Sequence, residues 1–500
     1  MQRIRPLILS VVALLALGVG GWQLFSLSRG IIVSRTTVQG IPVTVFTPAT
    51  IFRGPTIVLA HGFAGSQQMM YPTATTLARH GFTAITFDFP GHGQNPNPFT
   101  AQVSGNLRDT SILQTTLDTV VKYARQTTTN DDIALVGHSM GSAAVVEYAT
   151  THPEIGATIG ISLISDRVTT TTPRNLLIAT GALEFGNIKA ASQRALQNGT
   201  ADPQAQPATT YGDFAAGNAR RLEWTPSVEH ISILFSTNMM SSVTAWIGNS
   251  ANDPVMISYF DHRVVWIGLV YAGGLLLLWV ILGWLPKNAA IRPTTANGWR
   301  RAVIAFAPAV LTPLLLIWLP TTWLPILVGG YVGAFFGVYG VTQWGIARLV
   351  GVPLRPFAHF SRLGKKWLLM VAITAFLLLL IGGVAHLTLL NFVPTVGRLP
   401  WLALFALLML PYFLVDAALA HGGWGILAAR VLFILSLLFG TVVRPDVGFL
   451  LLTLPLFIIF FALLALVSTR LNRRTSPLVA ALVGAILFGW MLGIALPYTG

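Results

Sequence analysis

Apolar and polar positions divide the 500-residue chain into three stretches of different character. Residues 7–27 form one uncharged apolar run behind Arg3 and Arg5. About 20 such residues suffice to cross the hydrocarbon core of a bilayer, so 1–30 reads as an N-terminal anchor. A cleaved signal peptide is the alternative, although no A-x-A site follows cleanly. Either reading sends the next residues across the membrane. From 31 to 250 short apolar segments alternate with more polar helical stretches, the pattern of a mostly parallel sheet with flanking helices. Segments 32–37 and 43–46 flank Gln39-Gly40 as an opening hairpin. Strands are expected at 56–60, 83–87, 133–136, 157–164 and 175–180, with a weaker one at 221–226. Residues 198–210, rich in Gln, Pro, Ala and Thr, read as an exposed excursion.

Beyond a juxtamembrane linker at 251–263 the chain becomes a series of long apolar runs. They lie at 264–285, 302–319, 324–344, 367–389, 402–420, 424–443, 448–467 and 478–496, and Pro, Gly, Arg or Lys fill the breaks. Each is long enough to span. The expected fold class is therefore α/β for 31–250, joined to an all-α polytopic region at 264–500 with nine spans in total. Pro308, Pro313, Pro411 and Pro455 imply kinks within it.

Composition agrees. Charged residues make up 10% of the chain, against roughly 25% in soluble globular proteins. Between Arg29 and Ser250 there are 13 basic and 13 acidic residues, leaving 18 of the 31 basic and 4 of the 17 acidic residues elsewhere. The net charge of +14 thus falls in short segments between apolar runs, which topology explains better than a nucleic-acid partner. With the N-terminus cytoplasmic, one set of loops holds Lys287, Arg292, Arg300, Arg301, Arg348, Arg355, Arg362, Lys365, Lys366, Arg470, Arg473 and Arg474. The opposite short loops hold only Arg398 and Arg444. This bias places the α/β domain and the C-terminus outside the cytoplasm, in a multi-pass protein of the cell membrane. The absence of cysteine excludes disulfides, thiolate metal sites and a thiol nucleophile.

The chemistry concentrates at Gly137-His138-Ser139-Met140-Gly141, between the strand at 133–136 and a helix expected at 142–151. G-x-S-x-G in this context raises a serine hydroxyl above the sheet edge at a sharp strand-to-helix turn. The helix start adds N–H groups and partial positive charge where an oxyanion would form. Upstream, Val58-Leu59-Ala60-His61-Gly62-Phe63 ends a strand in H-G, and Asp88-Phe89-Pro90-Gly91-His92-Gly93 follows the next one.

In these three motifs residues 31–250 resemble the α/β-hydrolase superfamily, in its esterase, lipase and serine-aminopeptidase-like branch. The resemblance implies oxyanion contacts from the backbone N–H groups of Phe63 and Met140, and a structural role for the Asp88 loop. The triad order is nucleophile, acid, histidine. After Ser139 the domain has only His152 and His230. His152 ends the helix that starts at the nucleophile, so His230 is the expected general base. For the acid, Glu184 stands three residues after Gly181, where the resemblance implies the acid, although aspartate is usual there. Asp166 is the rival. The connection 165–173 is too short for a helical lid, implying an open site, or one roofed by 198–214 or by the membrane face.

No metal, cofactor or nucleotide site is expected: His61, His80 and His92 lack ligand spacing, and no phosphate loop occurs. Within the apolar runs, Asp416 and Arg430 face each other across the His421-Gly422-Gly423 hairpin and could pair. An ion pair locking two helices is the plain expectation and a transport or proton-relay role the other. His386 reads as isolated. The expected activity is cleavage of an ester or amide in a small-molecule, lipid or peptide acyl substrate at the outer membrane face. A peptidase or acyltransferase shares that mechanism; a transporter or lipid-handling protein with an accessory hydrolase domain is the rival.

Overall fold

The computed structural model describes residues 4–100, 103–104, 106–107, 110–128, 132–286, 297–354, 366–419, 423–448 and 450–500. The chain divides into two compact units, one of 21–267 with 385–393, the other of 1–20, 268–384 and 394–500. Of the loop residues discussed above, Arg3, Lys287, Arg292, Arg355, Arg362, Lys365, His421 and Gly422 lie outside the described set.

The first unit is built on an eight-stranded sheet. Its strands are β1 (Ile31–Val38), β2 (Ile41–Pro48), β3 (Arg53–Ala60), β4 (Phe82–Phe87), β5 (Ile133–His138), β6 (Ile155–Ile161), β7 (Leu176–Gly181) and β8 (Arg220–Thr225). They lie in the order β1-β2-β4-β3-β5-β6-β7-β8. β1 and β2 form the expected hairpin and β2 runs antiparallel to β4; all remaining pairings are parallel. Parallel strands need helical crossovers, which cover both faces of the sheet. That is why β5 is buried at all six positions and reads as an unbroken apolar run. In β7 the period-2 alternation is visible: Leu177 and Ala179 pack with helices α2 (Tyr71–Arg79) and α6 (Thr237–Ser250). Leu176 and Ile178 face the opposite layer, with Val146 of α4 (Met140–Thr151) and Leu196 of α5 (Gly186–Thr200).

The weak strand expected at 221–226 is a full partner of β7, in register from Arg220↔Leu176 to Thr225↔Gly181. Its sequence reads poorly because Arg221 and Glu223 interrupt the apolar pattern; the buried Arg220 before them donates to the carbonyls of Thr169, Thr170 and Ala219. Burial pushes that guanidinium down to about 10. The 198–210 excursion lies along β8 rather than over the strand tips: Ala208 N–H donates to Leu222 O, and Tyr211 bridges to Arg220. It does not roof the site. Nor is 251–262 a free linker. Asp253 pairs with Arg53, Ser258 N–H donates to His80 Nε2, and Val255 and Phe260 pack on the core.

In the second unit, helical segments meet every apolar run: the remainder of α1 (Ile4–Ser26), then α7 (Arg263–Trp284), α8 (Gly298–Leu315) and α9 (Gly329–Leu349). Next come α10 (Lys366–Leu377), which continues through a π turn into α11 (Val384–Thr388), then α12 (Leu399–Leu419), α13 (Gly423–Val443), α14 (Leu450–Arg474) and α15 (Pro477–Ala495). Among the described residues six helices are long and apolar enough to cross a membrane. α8, α9 and α13 fall outside that group; α8 carries Arg300, Arg301 and two prolines, and α9 carries many Gly and Tyr residues and Gln343. Phe336, Tyr412, Phe433, Phe461 and Phe488 form an aromatic hub joining α9, α12, α13, α14 and α15. Asp416 and Arg430 pair at 3.1 Å, and Arg430 also donates to Phe461 O at 2.8 Å.

Candidate active site

Every candidate residue in the first unit sits at the carboxyl end of a strand. Ser139 lies between β5 and α4 with φ 53° and ψ −117°. A serine at positive φ stores on the order of 1–3 kcal/mol of strain and persists only where its surroundings fix it. Here Ser139 N–H donates to Ile161 O at 2.9 Å, and Ser139 O accepts from Ser142 N–H at 2.9 Å and Ser142 Oγ at 2.6 Å. The flanking glycines serve a purpose other than the flexibility that a sharp turn suggests. Neither has positive φ. A Cβ on Gly137 would sit 2.2 Å from Gly141 O, and one on Gly141 would sit 2.5 Å from Ala60 O. They are needed so that β3, β5 and α4 can approach.

Ser139 Oγ–H donates to His230 Nε2 at 2.9 Å, and His230 Nδ1–H donates to Glu184 Oε2 at 2.9 Å. Glu184 follows β7, and His230 lies five residues beyond β8. Ser162 Oγ–H also donates to Glu184 Oε2, at 2.7 Å, and Phe185 N–H donates to Oε1 at 2.9 Å. Burial alone would raise the Glu184 pKa, but His230, Ser162 and Phe185 outweigh it and hold the carboxyl below its ordinary value. The structure thus brings Ser139, His230 and Glu184 into one hydrogen-bonded chain. Asp166 is exposed and takes no part in it. His152 stacks on Tyr148 at 3.8 Å at the far end of α4. Ser139 is 7% and His230 3% exposed, so the hydroxyl lies in a recess rather than on an open shelf. The connection 162–175 carries no helix, as its length implied.

Phe63 sits in a tight turn closed by Gly65 N–H donating to Gly62 O, with Ala64 at φ 55°. A Cβ on Gly62 would lie 3.1 Å from Ser139 Cβ, so this turn passes directly beside Ser139. Met140 opens α4, whose first N–H groups have no intrahelical acceptor. His61 braces the turn from behind: its Nδ1–H donates to Gly62 O, and its Nε2 accepts from Phe89 N–H. Complete burial drops His61 to about 4. Asp88 accepts from Gln67 N–H at 2.7 Å and Gln94 N–H at 3.0 Å, tying its loop to the same region.

Two residues in this network are not foreseen from the sequence. Ser162, at φ 51°, donates to the Glu184 carboxylate, and nothing local distinguishes it from other loop serines. His138 donates from Nε2–H to the backbone carbonyl of His230 at 2.9 Å. Burial, then the charge of His230, lowers its pKa to about 3. Its place inside the serine motif was visible; its target 92 residues away was not. Among the described residues no cluster of His, Asp and Glu is arranged to hold a metal.

A family model for the alpha/beta hydrolase fold matches residues 55–172, which hold the H-G turn, the Asp88 loop and the serine motif. A protein of Mycobacterium phage D29 named as a non-heme haloperoxidase is 30% identical over 105 residues, 21% of this chain and 34% of that protein. The chain thus spans about a third of that relative's length. Similar solved structures include a CIB-like hydrolase from Thermoplasma acidophilum, with 14% identity, 44% of this chain and 100% of that one covered, and TM-score 0.35. Another is a serine hydrolase without lid from Xanthomonas campestris, with 14% identity, coverage of 45% and 94%, and TM-score 0.32. The family match over 55–172 and the sheet order together give the first unit the alpha/beta hydrolase fold.

Proposed function

We propose that this protein is a membrane-bound serine hydrolase that cleaves esters or amides at the extracytoplasmic face. The observation that carries the reading is the unbroken relay from Ser139 through His230 to Glu184, two bonds of 2.9 Å each. In the reaction Ser139 Oγ attacks the substrate carbonyl carbon while His230 Nε2 takes its proton. The N–H groups of Phe63 and Met140 hold the resulting oxyanion. Collapse expels the alcohol or amine, which takes the proton from His230. Water, deprotonated by the same His230, then attacks the acyl-enzyme and releases the acid and free Ser139. Glu184 fixes the imidazole tautomer and stabilises the imidazolium.

Leu183 and Phe185 flank Glu184 in the chain, and Ile164 lies two residues beyond Ser162. Ile164, Leu183 and Phe185 are 48%, 67% and 43% exposed, and the Phe185 ring lies 6.1 Å from that of His230. Grouped exposed apolar side chains mark binding surfaces. Their place beside the triad favours substrates with an apolar chain over small polar esters or peptides. The 12-to-2 distribution of basic residues between alternate loops supports the outward orientation.

The transport reading rests on Asp416 and Arg430. Arg430 is shared among Asp416 of α12 and Phe461 O and Ser468 of α14, which favours a lock between helices instead. A fluorophosphonate probe tests the enzyme reading: it should label the wild type and not Ser139→Ala, and an unlabelled folded wild type refutes it. Monomeric p-nitrophenyl esters of increasing chain length test the substrate class. Leu183→Ser with Phe185→Ser should lower kcat/KM for long chains and spare the acetate; an equal loss at every length removes the apolar subsite.

A further inference from the structure

Nine residues that follow an apolar run, 385–393, belong to the hydrolase unit, and one of them, Asn391, bonds to Ser66 at the end of the loop that carries Phe63. Residues 385–393 follow the apolar run Trp367–Thr388 directly but belong to the compact unit of the sheet. The segment is held at two points. At its start, Thr388 O accepts from Arg263 Nη1–H at 3.0 Å. The same guanidinium donates to Thr75 Oγ1 at 2.8 Å and Tyr71 O at 3.3 Å on α2, and pairs with the buried Asp261 at 2.5 Å. Further along, Asn391 N–H donates to Ser66 Oγ at 2.9 Å. Ser66 is fully buried and Asn391 1% exposed, so no solvent competes for that bond.

Ser66 ends the loop that begins at His61. The turn it closes has Ala64 in the left-handed region, a conformation that needs external support. His61 and the Phe89 amide hold one end; Ser66 is the other. The donor itself is locked in place. Asn391 Nδ2 donates to Val393 O at 2.9 Å, its Oδ1 accepts from Val393 N–H at 3.3 Å, and His386 Nδ1 lies 3.0 Å from that Oδ1. His386, which reads as isolated in the sequence, is therefore part of this turn.

We propose that Asn391, through Ser66, is a positioning residue for the oxyanion turn, so that hydrolysis depends on the segment 385–393. This rests on the reading of Phe63 as an oxyanion donor. The brace lies within the hydrolase unit but is encoded more than 300 residues beyond the turn, directly after the apolar run that ends at Thr388. A donor displaced from the oxyanion weakens transition-state binding without weakening ground-state binding.

The test uses the full-length protein in detergent, with Ser66→Ala and Asn391→Ala approaching the same bond from opposite sides. Losing one oxyanion donor outright typically lowers kcat by roughly 100- to 1000-fold, so displacing it should cost about 10- to 100-fold. KM should stay within about 2-fold, and affinity for a trifluoromethyl ketone transition-state analogue should fall in step with kcat/KM. If either variant does not fold, the other carries the same expectation. Wild-type kcat and ketone affinity in a folded variant overturn the proposal, as does a loss confined to KM or to thermal stability. A wild type that fluorophosphonate does not label overturns the underlying enzyme reading instead, a result the variants cannot mimic.

Discussion

Replacing Glu184 by Gln removes one negative charge and almost no volume, so its effect isolates what the carboxylate does. Oε2 accepts from both His230 Nδ1–H at 2.9 Å and Ser162 Oγ–H at 2.7 Å, and Oε1 accepts from Phe185 N–H at 2.9 Å. An amide has one acceptor oxygen and one donor nitrogen. If its oxygen stays on Phe185, its NH2 faces His230 and drives the imidazole to the Nε2–H tautomer, which cannot take the Ser139 proton. If it flips, NH2 meets the Phe185 N–H and a donor is buried against a donor. The first arrangement leaves the fold intact and disables the base. The equivalent change in a serine protease triad lowers kcat by about 10,000-fold, which at about 1.4 kcal/mol per factor of ten is about 5 kcal/mol of barrier. Glu184→Gln should therefore lose roughly 1,000- to 10,000-fold in the rate of fluorophosphonate labelling and in kcat for a p-nitrophenyl ester. Ser162→Ala keeps the charge and removes one of three donors; a hydrogen bond to a charged group contributes about 1.5–3 kcal/mol, so roughly a 10- to 100-fold loss is expected. Asp166→Asn should remain within about 2-fold, as expected of an exposed surface substitution. A Glu184→Gln enzyme within ten-fold of wild type, or an Asp166→Asn loss as large, refutes this account of the acid.

Three further outcomes follow from the same geometry. His61 and His138 are held neutral by burial, at about 4 and about 3, below the ordinary imidazole value of about 6.5. Their folded pKa values are lowered, so below about pH 6.5 the unfolded chain binds two protons that the folded one refuses; these groups alone should remove about 3 kcal/mol of stability per pH unit down to about pH 4. Denaturant midpoints at pH 7 and pH 5 measure this, and a flat profile contradicts it. His138→Gln can still donate to the His230 carbonyl, whereas His138→Leu cannot; the Leu variant should lose about ten-fold more kcat with KM little changed, the effect of misplacing a base by one hydrogen bond. Equal losses in both would show that His138 only fills space. Gly141→Ala places a methyl 2.5 Å from Ala60 O and 2.6 Å from His61 O, both backbone, and should abolish folded protein or lower its thermal midpoint in detergent sharply. A folded, active Gly141→Ala enzyme contradicts the close approach of β3 and α4.

What the sequence determined by itself was whatever depends on neighbours along the chain. The strand–serine–helix motif, the H-G turn and the parallel pattern of apolar segments are local, and Ser139 could be placed from residues 133–151 alone. His230 followed by elimination, because the domain offers so few histidines after the serine. The tertiary structure decided everything carried by contacts distant in sequence. Ser162 and Asp166 are both polar residues just beyond β6, yet only Ser162 reaches Glu184, because its left-handed backbone turns its hydroxyl toward β7. β8 looked weak because charged Arg221 and Glu223 break its apolar pattern, while two of the carbonyls that hold the buried Arg220 beside them come from some 50 residues away. Residues 385–389 read as the end of a membrane span because hydropathy registers the apolar run, not the Ser66 hydroxyl that the Asn391 amide just beyond it meets 325 residues away. A pattern along one chain records which face of an element is apolar; which polar group will satisfy another across the fold is fixed only when the elements pack.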